Sequence, residues 1–176
     1  MKGFTLLEML LAAAIGSALM LGAARMLPLL QQQSLRLQLQ AHLEDELQQM
    51  LFTLEKILRR AGYCHGSCTG AAITVEGACV LVRWDENSNG KWEGAGRQDS
   101  DYYGIRLREK NIEMQRGVDR CDGSGWEKLN DPRQITIDRF SVTRSQRQID
   151  ITLEARATGA AGIVMRVDHR LLAENL

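Results

Sequence analysis

No excess of either charge sign is present in this chain: Lys plus Arg and Asp plus Glu each count 22. That balance argues against a whole-protein field strong enough to gather nucleic acid or an anionic surface. Histidine is scarce, and His42, His65 and His169 are scattered. With no serine or cysteine nucleophile paired to a base, catalysis has no visible constellation, and the chain reads as a non-enzyme. Low-complexity tracts and internal repeats are also missing, which removes the solenoid and disordered classes. Pro and Gly are absent from Leu29 to Ala61, so nothing there interrupts a helix. Of the 176 residues, about 115 remain after this helical N-terminal part, enough for one small domain and too few for a two-domain enzyme.

The most informative absence is of charge between Met9 and Ala24. Together with Phe4 to Leu7 it makes an uncharged stretch of about the 20 residues that span a hydrocarbon core. Glu8 alone interrupts it. A carboxylate at that depth costs a few kcal/mol on insertion scales and faces a protein partner more often than lipid. The plainer reading is an edge charge hydrated at the interface. Lys2 supplies positive charge on the cytoplasmic side, and Gly3 offers a small residue at a scissile bond before Phe4. An ordinary secretory signal competes; it would be cut after Ala14 or Ala24, where small residues cluster.

A basic leader ending in Gly3, an aromatic Phe4 and Glu8 four positions on resemble the signal of type IV prepilins and type II secretion pseudopilins. The resemblance is specific over about the first 24 residues; later, the segments 61–70 and 84–90 resemble a minor pilin related to the J-type minor pseudopilins. It implies a leader of residues 1–3, removed by a prepilin peptidase between Gly3 and Phe4, N-methylation of Phe4, and pairing of Glu8 with a neighbouring subunit's amine. It further implies a transmembrane and assembly helix over 4–27, an amphipathic extension over 28–61 and a periplasmic globular domain over 62–176. The expected partners are other minor pilins, the major pilin, the peptidase and the inner-membrane assembly platform; nucleic acid is not expected. The function implied is priming of type IV pilus assembly, with a place at the tip. A type II secretion minor pseudopilin, or an anchored periplasmic module binding DNA or a surface, stands as the alternative.

Beyond the anchor the periodicity changes. Leu39, Leu43, Leu47, Met50, Leu54, Ile57 and Ala61 recur in steps of three and four and so share one helical face. Pro28 would kink or loosen the helix, and Gly62 after Arg59 and Arg60 would end it. Alternating runs then predict strands over 72–76, 79–84, 104–109, 111–116, 135–143, 148–156 and 162–171. Helix first and strand meander after it make an α+β chain with an antiparallel sheet packed on the distal helix. That is the pilin fold, reached here from periodicity.

Cys64, Cys68, Cys79 and Cys121 all follow the anchor, where an oxidising compartment would give two disulfides; three connectivities are open, and Cys64–Cys68 with Cys79–Cys121 is preferred. Zinc on Cys64, His65 and Cys68 matches no common structural spacing. Asp85, Asn87, Asn89, the Lys91 carbonyl and Glu93, with Gly90 at the turn, resemble the start of a calcium loop. Position twelve falls on Gly96, so the missing carboxylate would have to come from Asp99 or Asp101. A structural calcium ion is one reading; a connection rich in Asx-turns is the other, and no cofactor is required by either. Arg106, Arg108 and Lys110, and Arg139, Arg144 and Arg147, read as the wet faces of strands.

Overall fold

A computed structural model describes residues 3–160 and 162–176. The leader residues Met1 and Lys2 lie outside the described residues. The chain divides into two compact units, Met1–Gln40 and Ala41–Leu176, and helix α1 (Leu6–Arg60) contributes to both.

In the first unit, helix is continuous through Pro28. The expected disruption is absent at the level of helix assignment, although the ring removes the one amide that would bond back to Ala24. The apolar residues here are exposed, and the window long and apolar enough to cross a membrane has none of its residues buried within the protein. An apolar surface of this kind has to be covered by lipid or by other helices.

The second unit holds the core. Leu43, Leu47, Met50, Leu51, Leu54, Ile57 and Leu58 of α1 are buried, so the stripe read from the sequence is a core face. Leu39 departs from it, with 40% exposure. The helix ends where expected, with Gly62 at a positive φ of 86° and its amide bonded to the Arg83 carbonyl; no side chain fits there without strain.

The strands form two antiparallel sheets rather than one. The first follows chain order: β1 (Ile73–Glu76), β2 (Cys79–Arg83), β3 (Tyr102–Arg108), β4 (Asn111–Arg116) and the two-residue β5 (Glu127–Lys128), which the sequence reading missed. The second is β6 (Ile135–Ser145), β7 (Gln148–Ala157) and β8 (Val164–Leu172). In β7 the alternation is strict, with Ile149, Ile151, Leu153 and Ala155 buried and the residues between them half-exposed. On its outer face Arg156 pairs with Asp138 and Arg170 with Asp150. Val80, Val82, Ile105 and Ile112 of the first sheet share one core with these residues and with the helix stripe.

Asn130 joins the sheets. Its carboxamide is buried, accepts the Ile112 amide (2.9 Å) and donates to the Ile135 carbonyl (3.1 Å) and to Asn111 Oδ1 (3.2 Å). The Ile137 amide adds a direct bond to the Lys110 carbonyl. The two disulfides are Cys64–Cys68 and Cys79–Cys121. The longer one fastens the segment after β4 across the outer face of the first sheet. There Arg106 lies under the Trp126 ring at 4.1 Å, bonds Glu113 at 2.8 Å and donates to the Cys121 carbonyl at 2.7 Å. Arg106 is therefore buried, which corrects its reading as part of a wet face.

Candidate functional site

Gly3 and Phe4 lie before the helix, exposed and outside regular secondary structure. Thr5 opens α1. Its hydroxyl accepts the Glu8 amide (3.3 Å), while Glu8 Oε2 accepts both the Thr5 amide (2.9 Å) and the Thr5 hydroxyl (3.0 Å). This is a capping box, in which the residue before the helix and the third residue within it satisfy each other's free amides. The sequence reading weighed Glu8 as an edge charge or a partner-facing charge and missed this third role. The Thr-x-x-Glu spacing was the available signal. Every group in the box belongs to residues 5–8, so a cut between Gly3 and Phe4 would leave it whole.

The second cluster is the loop between β2 and β3. Asp85 sends its oxygens to backbone amides: Oδ1 to Asn89 (2.9 Å), Oδ2 to His65 (3.0 Å) and Gly90 (2.9 Å). Burial would raise this carboxyl, but the amides of His65, Gly90 and Asn89 together hold it below the usual carboxylate range. Asn87 Oδ1 accepts the Asn89 amide and Asn89 Oδ1 accepts the Lys91 amide, each two residues on. These are Asx-turns, so that reading describes the first half of the loop. Gly90, at a φ of 87°, packs against Gly66 so closely that a Cβ on Gly66 would fall 2.7 Å from the Gly90 Cα. The loop is thereby seated on the Cys64–Cys68 turn, whose Ser67 amide bonds the Gly90 carbonyl. The two sulfurs and an Asp85 oxygen lie within 4.8 Å of one another. A disulfide offers zinc no thiolate, so that cluster is not a zinc site.

The second half of the loop brings Glu93 to Asp101. Asp99, the other candidate for folding back, is held by Arg97 at 2.9 Å. Asp101 is buried, and its oxygens accept the Glu86 and Glu93 amides, both at 3.1 Å. The Asp101 amide bonds the Glu93 carbonyl at 3.0 Å, so the two residues are tied to each other in both directions. Asp101 is raised, chiefly by burial; the Glu86 and Glu93 amides pull it back in part, and the neighbouring Glu93 carboxyl adds a smaller push upward. Trp84 flanks the loop and stacks on Tyr103 with ring centres 3.8 Å apart.

Comparison with known proteins agrees with both parts of the chain. Residues 1–24 match the family model of the prokaryotic N-terminal methylation motif. Residues 36–172 match the family model described as prepilin peptidase-dependent protein B. The prepilin peptidase-dependent protein B of Escherichia coli (strain K12) is 50% identical over 145 residues, covering 81% of this chain and 78% of that protein. No solved structure matches.

Proposed function

The chain belongs to the prepilin peptidase-dependent protein B family, and from that premise we propose that it is a minor pilin that primes type IV pilus assembly. A prepilin peptidase cuts between Gly3 and Phe4, and Phe4 is then N-methylated. The segment 4–27 stays in the inner membrane with the later domain in the periplasm. Together with other minor pilins the protein starts a filament that the major pilin extends, and it rides at or near the tip. The observation that carries this reading is the N-terminal constellation: a small residue and an aromatic in exposed chain, followed by a helix whose otherwise uncharged apolar face holds one carboxylate, Glu8. In the membrane such a charge needs a partner group.

Intact mass of the membrane-extracted protein, from cells with and without the peptidase, tests the first step. The expected product lacks Met1 to Gly3 and carries one added methyl group, only when the peptidase is present; an uncut chain, or one cut after Ala14 or Ala24, overturns the reading. The second step is tested by Glu8→Ala, which is expected to impair piliation while leaving membrane insertion and folding of residues 41–176 intact. Normal piliation with that substitution refutes the assembly role.

A further inference from the structure

We propose that the loop between β2 and β3 binds one calcium ion through the carboxylates of Glu93 and Asp101. Both side chains are buried, Glu93 with 4% exposure. Two carboxylates placed together out of water repel each other and lose hydration, an arrangement that persists where a cation compensates it. The observation pointing to a ligand is Glu93 Oε2, which is fully buried and has no hydrogen-bond partner among the described residues. Its sister oxygen Oε1 takes what donors there are: the Asn89 carboxamide at 2.8 Å and the Lys91 ammonium at 3.7 Å. Lys91 is 70% exposed along its side chain, so its charge is screened by solvent and neutralises little.

The donor set selects the kind of ion. The side chains that meet here are the carboxylates of Glu93 and Asp101 and the Asn89 carboxamide, oxygen ligands that suit a hard cation. Glu93 Oε2 is free for an ion, each Asp101 oxygen accepts one amide and keeps a second lone pair, and rotation of the Asn89 carboxamide would add its own oxygen in place of the donor it now presents. The arrangement is not that of the calcium loop the sequence resembles. Asp85, at the loop's first position, is spent on three amides and fixes the turn, while the charge-bearing end lies eight to sixteen residues later at Glu93 and Asp101. The inference stands independently of the assembly role.

The test uses the full chain in detergent micelles, stripped with EDTA and then given calcium, magnesium or terbium chloride. Calcium at about 1 mM, the weak end of the range for extracellular sites, is expected to raise Tm by several degrees. Terbium luminescence excited through Trp92 should appear and be displaced by calcium. Glu93→Gln and Asp101→Asn should each weaken calcium binding by at least about tenfold, the smallest loss seen when even outer groups of a metal site are changed. The two conditions also separate repulsion from binding: Glu93→Gln should raise Tm in EDTA, by removing one of two facing charges, and lower it relative to the parent in calcium. The proposal fails if the parent shows neither a calcium-dependent Tm shift nor a terbium signal. It fails equally if Glu93→Gln is the more stable protein in both conditions, or if magnesium acts as well as calcium.

Discussion

The two disulfides differ in what they should be worth, and the difference can be worked from the chain. Cys64 and Cys68 are separated by 4 residues, Cys79 and Cys121 by 42. Loop-closure entropy gives about 2 kcal/mol for the first and about 4 kcal/mol for the second at 25 °C. Native contacts widen the gap. Without its covalent tie, the Cys64–Cys68 turn keeps the His65 and Ser67 amide bonds to Asp85 and Gly90. The segment carrying Cys121 has weaker alternatives, since the Arg106 bond and the Trp126 ring that cover the sheet depend on that segment staying in place. We expect Cys79→Ala with Cys121→Ala to lose at least about 2 kcal/mol more than Cys64→Ala with Cys68→Ala, from a total that for a domain of this size is roughly 5–15 kcal/mol. The assay is urea unfolding of the full chain in micelles, followed by fluorescence of Trp84, Trp92 and Trp126. Equal losses, or a larger loss from the Cys64 and Cys68 pair, would refute the argument.

Leu54→Ala, in the middle of the buried stripe, should cost about 2–5 kcal/mol in the same assay, whereas Phe52→Ala, 70% exposed two positions away, should stay within about 0.5 kcal/mol. Asn130→Ala strips three bonds and leaves the Ile112 amide buried without an acceptor; a loss of about 1–3 kcal/mol is expected, with faster hydrogen exchange at Ile112 as its local sign. Asp131 is held at about 2 by the Arg133 guanidinium and amide. A depressed folded pKa contributes stability above the unfolded value of about 3.9 and loses it as pH falls toward 2, so Asp131→Asn should flatten that acid limb of a stability-against-pH curve. Thr5→Ala removes the helix cap, worth about 1 kcal/mol, and should speed exchange of the Glu8 amide about fivefold.

Local periodicity was legible in the sequence, and what depended on distant pairing was not. The stripe from Leu43 to Ala61 and the alternation from Ile149 to Ala155 each follow from one period, and both proved to be core faces. Leu39 continues the helical period but not the burial, because the period shows which residues share a face without showing where a covering sheet begins. The link between the two sheets runs through Asn130, a polar residue in a connection, whose three partners are 5 to 19 positions away. Such a residue gives no sequence signal beyond its suitability for a turn. Strand β5 has only two residues, too few for any alternation to show. In the loop, the Asp85, Asn87 and Asn89 spacing announced Asx-turn chemistry. The partner of Glu93 depended on which later acid folds back: Asp101 does, while Asp99 pairs with Arg97 at the surface.

Glu8 shows why one residue supported several readings from sequence. Its capping bonds both fall on Oε2, and a carboxylate has about four acceptor sites over its two oxygens. Oε1 carries no protein bond among the described residues. The cap therefore turns the side chain back toward the start of the helix and fixes its rotamer while leaving an oxygen to accept a donor from another chain. An amine freed at a neighbouring Phe4 would be such a donor. The two roles differ in what they require of residue 8. A Glu8→Gln side chain still offers one oxygen to the Thr5 amide, and so retains much of the cap while losing the charge. If capping were the whole role, Glu8→Gln would assemble nearly as the parent does. If the charge serves a partner's amine, as proposed, Glu8→Gln should fail in piliation as Glu8→Ala does, with its helix start still protected from exchange.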